Sequence, residues 1–205
     1  TEKIRLRLEL LSSTPNYKIM NEFPSLKNQL LIAMPSLQDA DFSQSVTLIC
    51  EHNEDGAMGI VINHPLQIST LDLLEHMEIP CEKSHNVNPV LAGGPVQTDR
   101  GFVIHRADKL WKSSIYLDND VAITTSPDIL HAMGRQEVSG EAFVALGYAG
   151  WGPGQLEQEL RSNSWLNTPL VAELLFETNI EARWKKAANS LGFDIEQLSF
   201  FSGNA

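Results

Sequence analysis

The sequence predicts a mixed α/β (α+β) fold in which helices cover a mixed β-sheet. Short runs of β-branched and apolar residues are interleaved with helical patterns along the 205-residue chain, and this interleaving is typical of sheets covered by helices. Several runs follow one another with no helix between them, as antiparallel strands do. Residues 53–56, Asn-Glu-Asp-Gly, lie between two such runs and favour a tight turn, so a β-hairpin is predicted here.

Proline, serine and aspartate mark the predicted element ends in the first half of the chain. Pro35 ends the first strand and Pro65 ends the hairpin, because proline has no N–H to donate to a sheet. Ser69, with Asp72 three residues later, predicts a helix start, and Pro80 marks the helix end. The elements predicted in this half are strands at 30–34, 45–52, 57–63 and 90–92 and a helix at 69–78.

The second half begins with two predicted strands, 102–105 and 115–117, which we expect to be antiparallel neighbours. Ser126 before Pro127 predicts a helix start, since serine caps helices and proline suits their first position. The remaining predicted elements are strands at 121–125 and 142–147, a helix from 153 or 154 to 161, and a helix ending at 191 that begins at a capping box of Thr178 and Glu181.

The composition is that of a globular protein with a strong negative charge. The formal net charge is -11, from 15 Lys and Arg against 26 Asp and Glu. Such a body repels phosphate backbones, so direct binding to nucleic acid is not expected. The longest apolar runs are far below the roughly 20 residues of a membrane span, and we find no secretory signal. With two cysteines and no implied disulfide framework, a cytoplasmic location is predicted.

Residues 1–19 are interpreted as an N-terminal extension of a single domain at 20–205. One hypothesis is that Met20 is the natural initiator, so that the extension is not native. The alternative is a genuine N-terminal strand that adds to a sheet edge. The intact mass of the endogenous protein would distinguish the two.

The stretch from 147 to 155 is predicted to be a glycine-rich turn between a strand and a helix. Backbone N–H groups in such a turn, together with the helix dipole, can bind an anion. The stretch matches neither the dinucleotide-binding pattern nor the P-loop, because Gln155 and Pro153 stand where glycine and lysine are needed. The alternative is a tight turn beside a buried Trp151. The candidate ligand-binding residues are Gly147, Gly150, Trp151, Gly152, Gly154, Gln155 and, from a separate loop, Arg100.

Cys50 and His52 are the candidate catalytic residues. Two positions apart on a strand, they are predicted to project from the same face. A neighbouring imidazolium can lower a thiol pKa and so make a nucleophile or redox group. The alternative is a small buried side chain on a core strand, with the histidine at the solvent end. No metal site is predicted, since no second Cys/His pair has ligand spacing.

Several strings in the chain resemble the AlgH/YqgE family of small bacterial proteins. They are LLIAMPSLQDADFSQSVTLICEHNEDGAMGIVINHP at 30–65, GGP at 93–95, DRGF at 99–102, TTS at 124–126, LGYAGW at 146–151, GQLE at 154–157 and NSWL at 163–166. The resemblance implies a compact cytosolic protein with a partly curled sheet and a smaller α/β lobe, which we place around 66–120. Most members lack an assigned activity, and AlgH is linked to the regulation of alginate synthesis. The family therefore provides no catalytic residues to carry over.

Two functions are compatible with the sequence. The first is a non-enzymatic regulatory protein that binds a ligand or partner without direct contact to DNA. The second is a small enzyme that uses the Cys50 thiol or an anion site at the glycine turn. No cofactor is predicted and no membrane association is expected. The partner is an unknown protein or small molecule, and the oligomeric state is left open.

Overall fold

The computed structural model describes residues 24–81, 88–109, 111–138 and 141–192. The predicted extension at 1–19 and the initiator hypothesis at Met20 therefore lie outside the described residues. The described residues form ten strands, which are β1 Gln29–Ala33, β2 Val46–Asn53, β3 Gly56–Val61, β4 Pro65–Ser69, β5 Pro89–Ala92, β6 Val96–Arg106, β7 Ser114–Tyr116, β8 Val121–Thr124, β9 Ala142–Trp151 and β10 Trp165–Pro169. The helices are α1 Thr70–His76, α2 Pro127–Gly134, α3 Gln155–Arg161, α4 Ala172–Phe176 and α5 Arg183–Ser190, with a 3-10 turn at Ile180–Ala182.

The ten strands form one mixed, curled sheet, which confirms the predicted fold class. The main order is β10-β1-β2-β3-β9-β6-β8-β7, and β5 joins β4 to β9. All pairs are antiparallel except β5 with β9. The smaller lobe around 66–120 stays a prediction.

Strand β9 is the branch point of the sheet. Along one side it pairs with β6 over most of its length. On its other side, Ala145 and Leu146 pair with β5, whereas residues 149–151 pair with β3. The same strand therefore carries two arms of the sheet, and Gly147, whose φ is +75°, lies between the residues that pair with each arm.

In the part of the chain that the structure describes, buried apolar side chains form three clusters. The largest lies between one sheet face and helices α4 and α5, and it includes Leu48, Phe102 and Phe143. A second cluster packs around Trp151 and Trp165 beside α3, and a third lies under α2. Full burial of one large apolar side chain contributes about 1.5–3 kcal/mol, so these clusters are the main stabilising term.

Local signals predicted several elements well. The hairpin of β2 and β3 is confirmed, and the turn at 53–56 is where the sequence predicts it. Ser69 caps α1 and forms a capping box with Asp72, as predicted. Pro127 is at the start of α2, although the hydroxyl of Ser126 bonds to Lys112 and Asp128 rather than to the helix backbone.

Four predictions about elements were wrong or incomplete. Strands 102–105 and 115–117 are not neighbours, because β8 pairs with both β6 and β7 and lies between them. Thr178 does not cap the last helix, since its hydroxyl donates to the carbonyl of Glu173 and the helix begins at Arg183. Pro65 begins a further strand instead of only ending the hairpin. The elements that sequence reasoning missed are β4, β10 and α4. In the described ranges, no helix has both the length and the apolar character to span a membrane.

Candidate functional site

The segment predicted to be a glycine-rich turn folds mostly as strand. Strand β9 continues through Gly147 and Gly150 to Trp151, and the turn is confined to residues 152–154. The segment is a strand and not a turn because β9 pairs with β6 on one side and with β3 on the other, and both pairings keep its backbone extended. At Gly147 a Cβ would lie 2.3 Å from the carbonyl oxygen of Gly94, so glycine is needed there for close backbone packing.

Trp151 and Gln155 are bonded within the protein. The indole N–H groups of Trp151 and Trp165 both donate to Oε2 of Glu159, at 2.9 and 2.8 Å. Gln155 donates to Oε1 of Glu159 at 2.9 Å and accepts the N–H of Gly152 at 3.1 Å. We call Trp151, Gln155, Glu159 and Trp165 the indole–carboxylate network. It joins β9, α3 and β10, and a ligand role for its residues stays a prediction.

Gly154 is the N-cap of α3, with a left-handed φ of 72°. A Cβ at this position would meet no atom within 4 Å. At position 154, therefore, only the left-handed backbone conformation favours glycine. At position 147 the lack of space for a Cβ favours glycine as well. The proposed anion role of Gly154 stays a prediction.

Cys50 and His52 do not project together as predicted. The β2–β3 register shifts between Ile49 and Glu51, which marks a bulge at Cys50. A bulge interrupts the alternation of side chains along a strand. Cys50 therefore lies in the largest core cluster, whereas the His52 ring bonds to the backbone of Leu26, a member of the second cluster.

The surroundings of Cys50 suit a buried apolar side chain. Cys50 is fully buried, and its thiol donates to the carbonyl of Leu48 at 3.4 Å. Burial raises the pKa of the Cys50 thiol well above its ordinary value, and the nearby Glu51 carboxylate acts in the same direction. Because the thiolate is the reactive form, these surroundings disfavour a nucleophilic or redox role.

His52 holds two chain segments together. Its Nδ1 accepts the N–H of Leu26 at 2.8 Å, so Nε2 carries the proton that faces Glu157 at 3.0 Å. The His52 side chain is only 4% exposed. The contact joins the end of β2 to α3, beside the indole–carboxylate network.

Arg100 lies apart from this region, on β6. It is exposed, its guanidinium carbon lies 5.2 Å from the ring centroid of Phe102, and one N–H reaches Gln97 at 3.5 Å. The structure thus brings His52, Trp151 and the 152–154 turn together beside α3, which begins at Gln155, and it places Cys50 and Arg100 elsewhere. None of the predicted site residues is among those that line the two cavities described next.

The larger cavity, of about 630 Å³, lies between the start of β9 and the segment from α4 to α5. We call it the β9–α5 cavity. Its size is within the range of small-molecule sites. Its wall combines apolar, amide and charged side chains. The lining residues are Asn88, Met133, Gln136, Val138, Glu141, Ala142, Phe143, Leu175, Phe176, Thr178, Asn179, Ile180 and Arg183.

Arg183 is the most unusual residue of this wall, because it is a buried arginine at 4% exposure. Its guanidinium donates to the carbonyls of Thr178, Ile62 and Leu175. It also lies over the Phe143 ring, 4.8 Å from the centroid. Arg183 stands in a short basic run with Lys185 and Lys186. Nothing in that run indicates that its side chain is buried.

A second cavity of about 170 Å³ lies beside a buried polar chain that the sequence did not predict. His105 Nδ1 donates to the Arg106 carbonyl at 2.7 Å, so its Nε2 accepts the hydroxyl of Thr124 at 2.8 Å. Ser114 in turn lies 2.7 Å from the Thr124 hydroxyl. Burial lowers the pKa of His105, which keeps the ring neutral. These hydrogen bonds link strands β6, β8 and β7 through their side chains.

Potential metal ligands are dispersed in the part of the chain that the structure describes. There, no group of three or more His, Cys, Asp or Glu side chains could hold a metal ion.

Comparison with known sequences finds a family model described as AlgH-like, which matches residues 30–196. A UPF0301 protein from Colwellia psychrerythraea is 51% identical over 209 residues, covering 88% of this chain and 99% of that protein. A UPF0301 protein from Thioalkalivibrio sulfidiphilus is 50% identical over 186 residues, covering 91% of this chain and 100% of the relative.

Two solved structures share the architecture. The solution structure of the AlgH protein from Pseudomonas aeruginosa matches with a TM-score of 0.71 and 38% identity, covering 94% of this chain and 97% of that one. A crystal structure of a protein from Corynebacterium diphtheriae matches with a TM-score of 0.68 and 19% identity, covering 93% and 96%. At that identity the second likeness concerns the fold alone.

Proposed function

This chain belongs to the AlgH-like family, and from that premise we propose that it is a non-enzymatic cytoplasmic regulator that binds a small ligand in the β9–α5 cavity, without direct contact to DNA. The observation that carries the proposal is the cavity itself. It has the volume of a ligand site, and its wall presents one buried cation and several amides among apolar side chains. This mixture suits selective binding of a small organic molecule.

The positions of the reactive groups support binding rather than turnover. Cys50 is enclosed in the core with a raised thiol pKa, and His52 is engaged by Leu26 and Glu157. Neither lines the β9–α5 cavity. The alternative of a small enzyme that uses the Cys50 thiol therefore has less support.

Support for a regulatory role comes from the resemblance to AlgH, one family member, which is linked to the regulation of alginate synthesis. The net charge of -11 favours a route through a ligand or a protein partner, because DNA repels such a surface. Fluorescence anisotropy with labelled duplex DNA at low salt should show no saturable binding. Saturable binding that weakens steeply with salt would contradict this part of the proposal.

Thermal unfolding tests cavity binding. We would add organic acids, phosphomonoesters and neutral aromatic compounds singly to the full chain at about 1 mM and measure the unfolding midpoint, which a native-state ligand raises. Asn179→Trp would block the cavity, since Asn179 is an exposed lining residue whose side chain makes no capping hydrogen bond. Asn189→Trp is the matched control on an exposed position of α5.

We expect at least one compound to raise the midpoint of the wild type and of Asn189→Trp, but not that of Asn179→Trp. If no compound raises the midpoint, or if Asn179→Trp responds as the wild type does, the cavity is not the ligand site.

A further inference from the structure

We infer that the ligand of the β9–α5 cavity carries an oxyanion, a carboxylate or a phosphate, that binds the guanidinium of Arg183. This inference rests on the proposed function and adds the chemical class of the ligand. It is drawn from the hydrogen bonds, the charge balance and the neighbours of Arg183.

The hydrogen bonds of Arg183 use only some of the N–H groups of its guanidinium. A guanidinium has five N–H groups. Nε donates to the Thr178 carbonyl at 3.3 Å, Nη1 donates to Ile62 and Nη2 donates to Leu175. These bonds fix the plane of the group and use three of its N–H groups. Among the described residues the other two N–H groups have no hydrogen-bond acceptor, and we assign them to the ligand.

The charge of Arg183 is not neutralised by these partners. All three are neutral carbonyls, and the ion pairs found among the described residues do not include Arg183. Burial lowers the pKa of Arg183 to about 10, so the side chain stays cationic at neutral pH. A buried cation without a counter-ion is costly, and an oxyanion in the adjoining cavity would offset that cost.

The other residues of the cavity wall indicate what kind of chemical group the oxyanion is attached to. Phe143 stacks on the guanidinium, and Phe176 and Ile180 add apolar surface. The carboxylate of Glu141 also lines the cavity, but it is half-exposed and lies 3.6 Å from Arg106, which offsets its charge. The wall therefore suits an oxyanion attached to an apolar, preferably aromatic, body.

Three small probes test this inference with the full chain. Benzoate and phenyl phosphate carry the two oxyanions, and benzamide is a neutral analogue of benzoate. NMR titrations would give their dissociation constants and follow the Nε–H resonance of Arg183. Arg183→Met removes the cation and keeps an unbranched side chain. Arg100→Met is the matched control, because Arg100 also stacks on a phenylalanine but lies outside the cavity.

We expect benzoate or phenyl phosphate to bind the wild type about tenfold or more tightly than benzamide, as a charge-assisted hydrogen bond would give. The preferred anion should shift the Arg183 Nε–H resonance, and its identity distinguishes a carboxylate site from a phosphate site. The preference should vanish in Arg183→Met and persist in Arg100→Met. The wild-type measurement holds even if Arg183→Met fails to fold.

Two results would overturn the inference. If all three probes bind in the cavity with equal affinity, the anion preference is wrong and the proposed function stands. If none binds at about 10 mM, the inference is also wrong. The thermal comparison of Asn179→Trp with Asn189→Trp then decides independently whether cavity binding survives.

Discussion

Trp151 and Trp165 donate their indole N–H groups to one carboxylate oxygen, Oε2 of Glu159, and their ring centroids lie 6.1 Å apart in an edge-to-face arrangement. Both indoles are almost fully buried. A single acceptor from α3 thus satisfies two aromatic donors from different strands. The glycine-rich segment ends at Trp151 and Gln155, which belong to this network. Side-chain packing and hydrogen bonds therefore hold the conformation of the end of that segment.

Glu159→Ala should be strongly destabilising. It leaves two buried indole donors without their acceptor, at an expected cost of about 2–4 kcal/mol in the free energy of unfolding. Urea denaturation would measure the loss. Gln158→Ala is the control, since Gln158 is exposed on the same helix and should change stability by about 0.5 kcal/mol or less. Equal effects of the two substitutions would contradict the role given to Glu159.

Gly147→Ala and Gly154→Ala should differ although both glycines have positive φ, +75° and +72°. At Gly154 there is open space, so the expected cost is about 1–2 kcal/mol from backbone conformation. At Gly147 the new methyl group would also overlap the Gly94 carbonyl, so we expect a larger loss or failure to fold. Denaturation midpoints check the order, and an equal loss at both positions would refute close packing at Gly147.

Cys50 should resist thiol reagents in the folded protein. Its thiol is buried with a raised pKa, whereas Cys81 is partly exposed. In Cys81→Ser, Cys50 is the one remaining thiol, and a disulfide reagent at about pH 8 should label it only as fast as the protein opens. Addition of urea should make labelling rapid. Rapid labelling of the folded variant would restore the thiol as a candidate nucleophile.

His105 should make stability fall in mild acid. Burial holds its pKa below the ordinary 6.5, so the unfolded chain takes up a proton at a higher pH than the folded chain does. The contribution is complete above about pH 6.5 and is lost as the pH falls toward the folded pKa. Urea denaturation at several pH values should show a steeper fall for the wild type than for His105→Gln.

The difference between the wild type and His105→Gln reports on His105, because the two proteins share all other titrating groups. His64, whose pKa burial also lowers, stays in the variant and cancels in the difference. Parallel stability curves below pH 6.5 would show that His105 does not contribute in this way.

Elements with local signals could be predicted from the sequence. The turn at 53–56, the capping box of Ser69 with Asp72 and the proline at 127 each act within a few residues, so the chain alone specifies them. Strand β10 has no comparable signal. Its five residues become a strand because Trp165 to Pro169 pair with β1, more than 130 positions earlier in the sequence, and that partner cannot be read locally.

The candidate site was harder to predict than the fold. Cys50 and His52 were predicted to share one face of β2, but a bulge at Cys50 separates them. The bulge depends on the register of β2 with β3. The glycines at 147 and 150 indicated a turn, but the neighbours of β9 hold them extended. Arg183 stands in a short basic run of the sequence with no local sign of burial, and its burial depends on contacts with the carbonyls of Ile62 and Leu175. Each of these outcomes is decided by tertiary contacts.

Binding of a small ligand in the β9–α5 cavity is tested most directly by the ¹H–¹⁵N spectrum of the labelled full chain with benzoate, phenyl phosphate and benzamide. We predict that the largest amide shifts occur at four residues that line the β9–α5 cavity, Phe143, Phe176, Asn179 and Ile180. Shifts centred on residues 152–155 or on Arg100, or a spectrum unchanged by all three compounds, would contradict it.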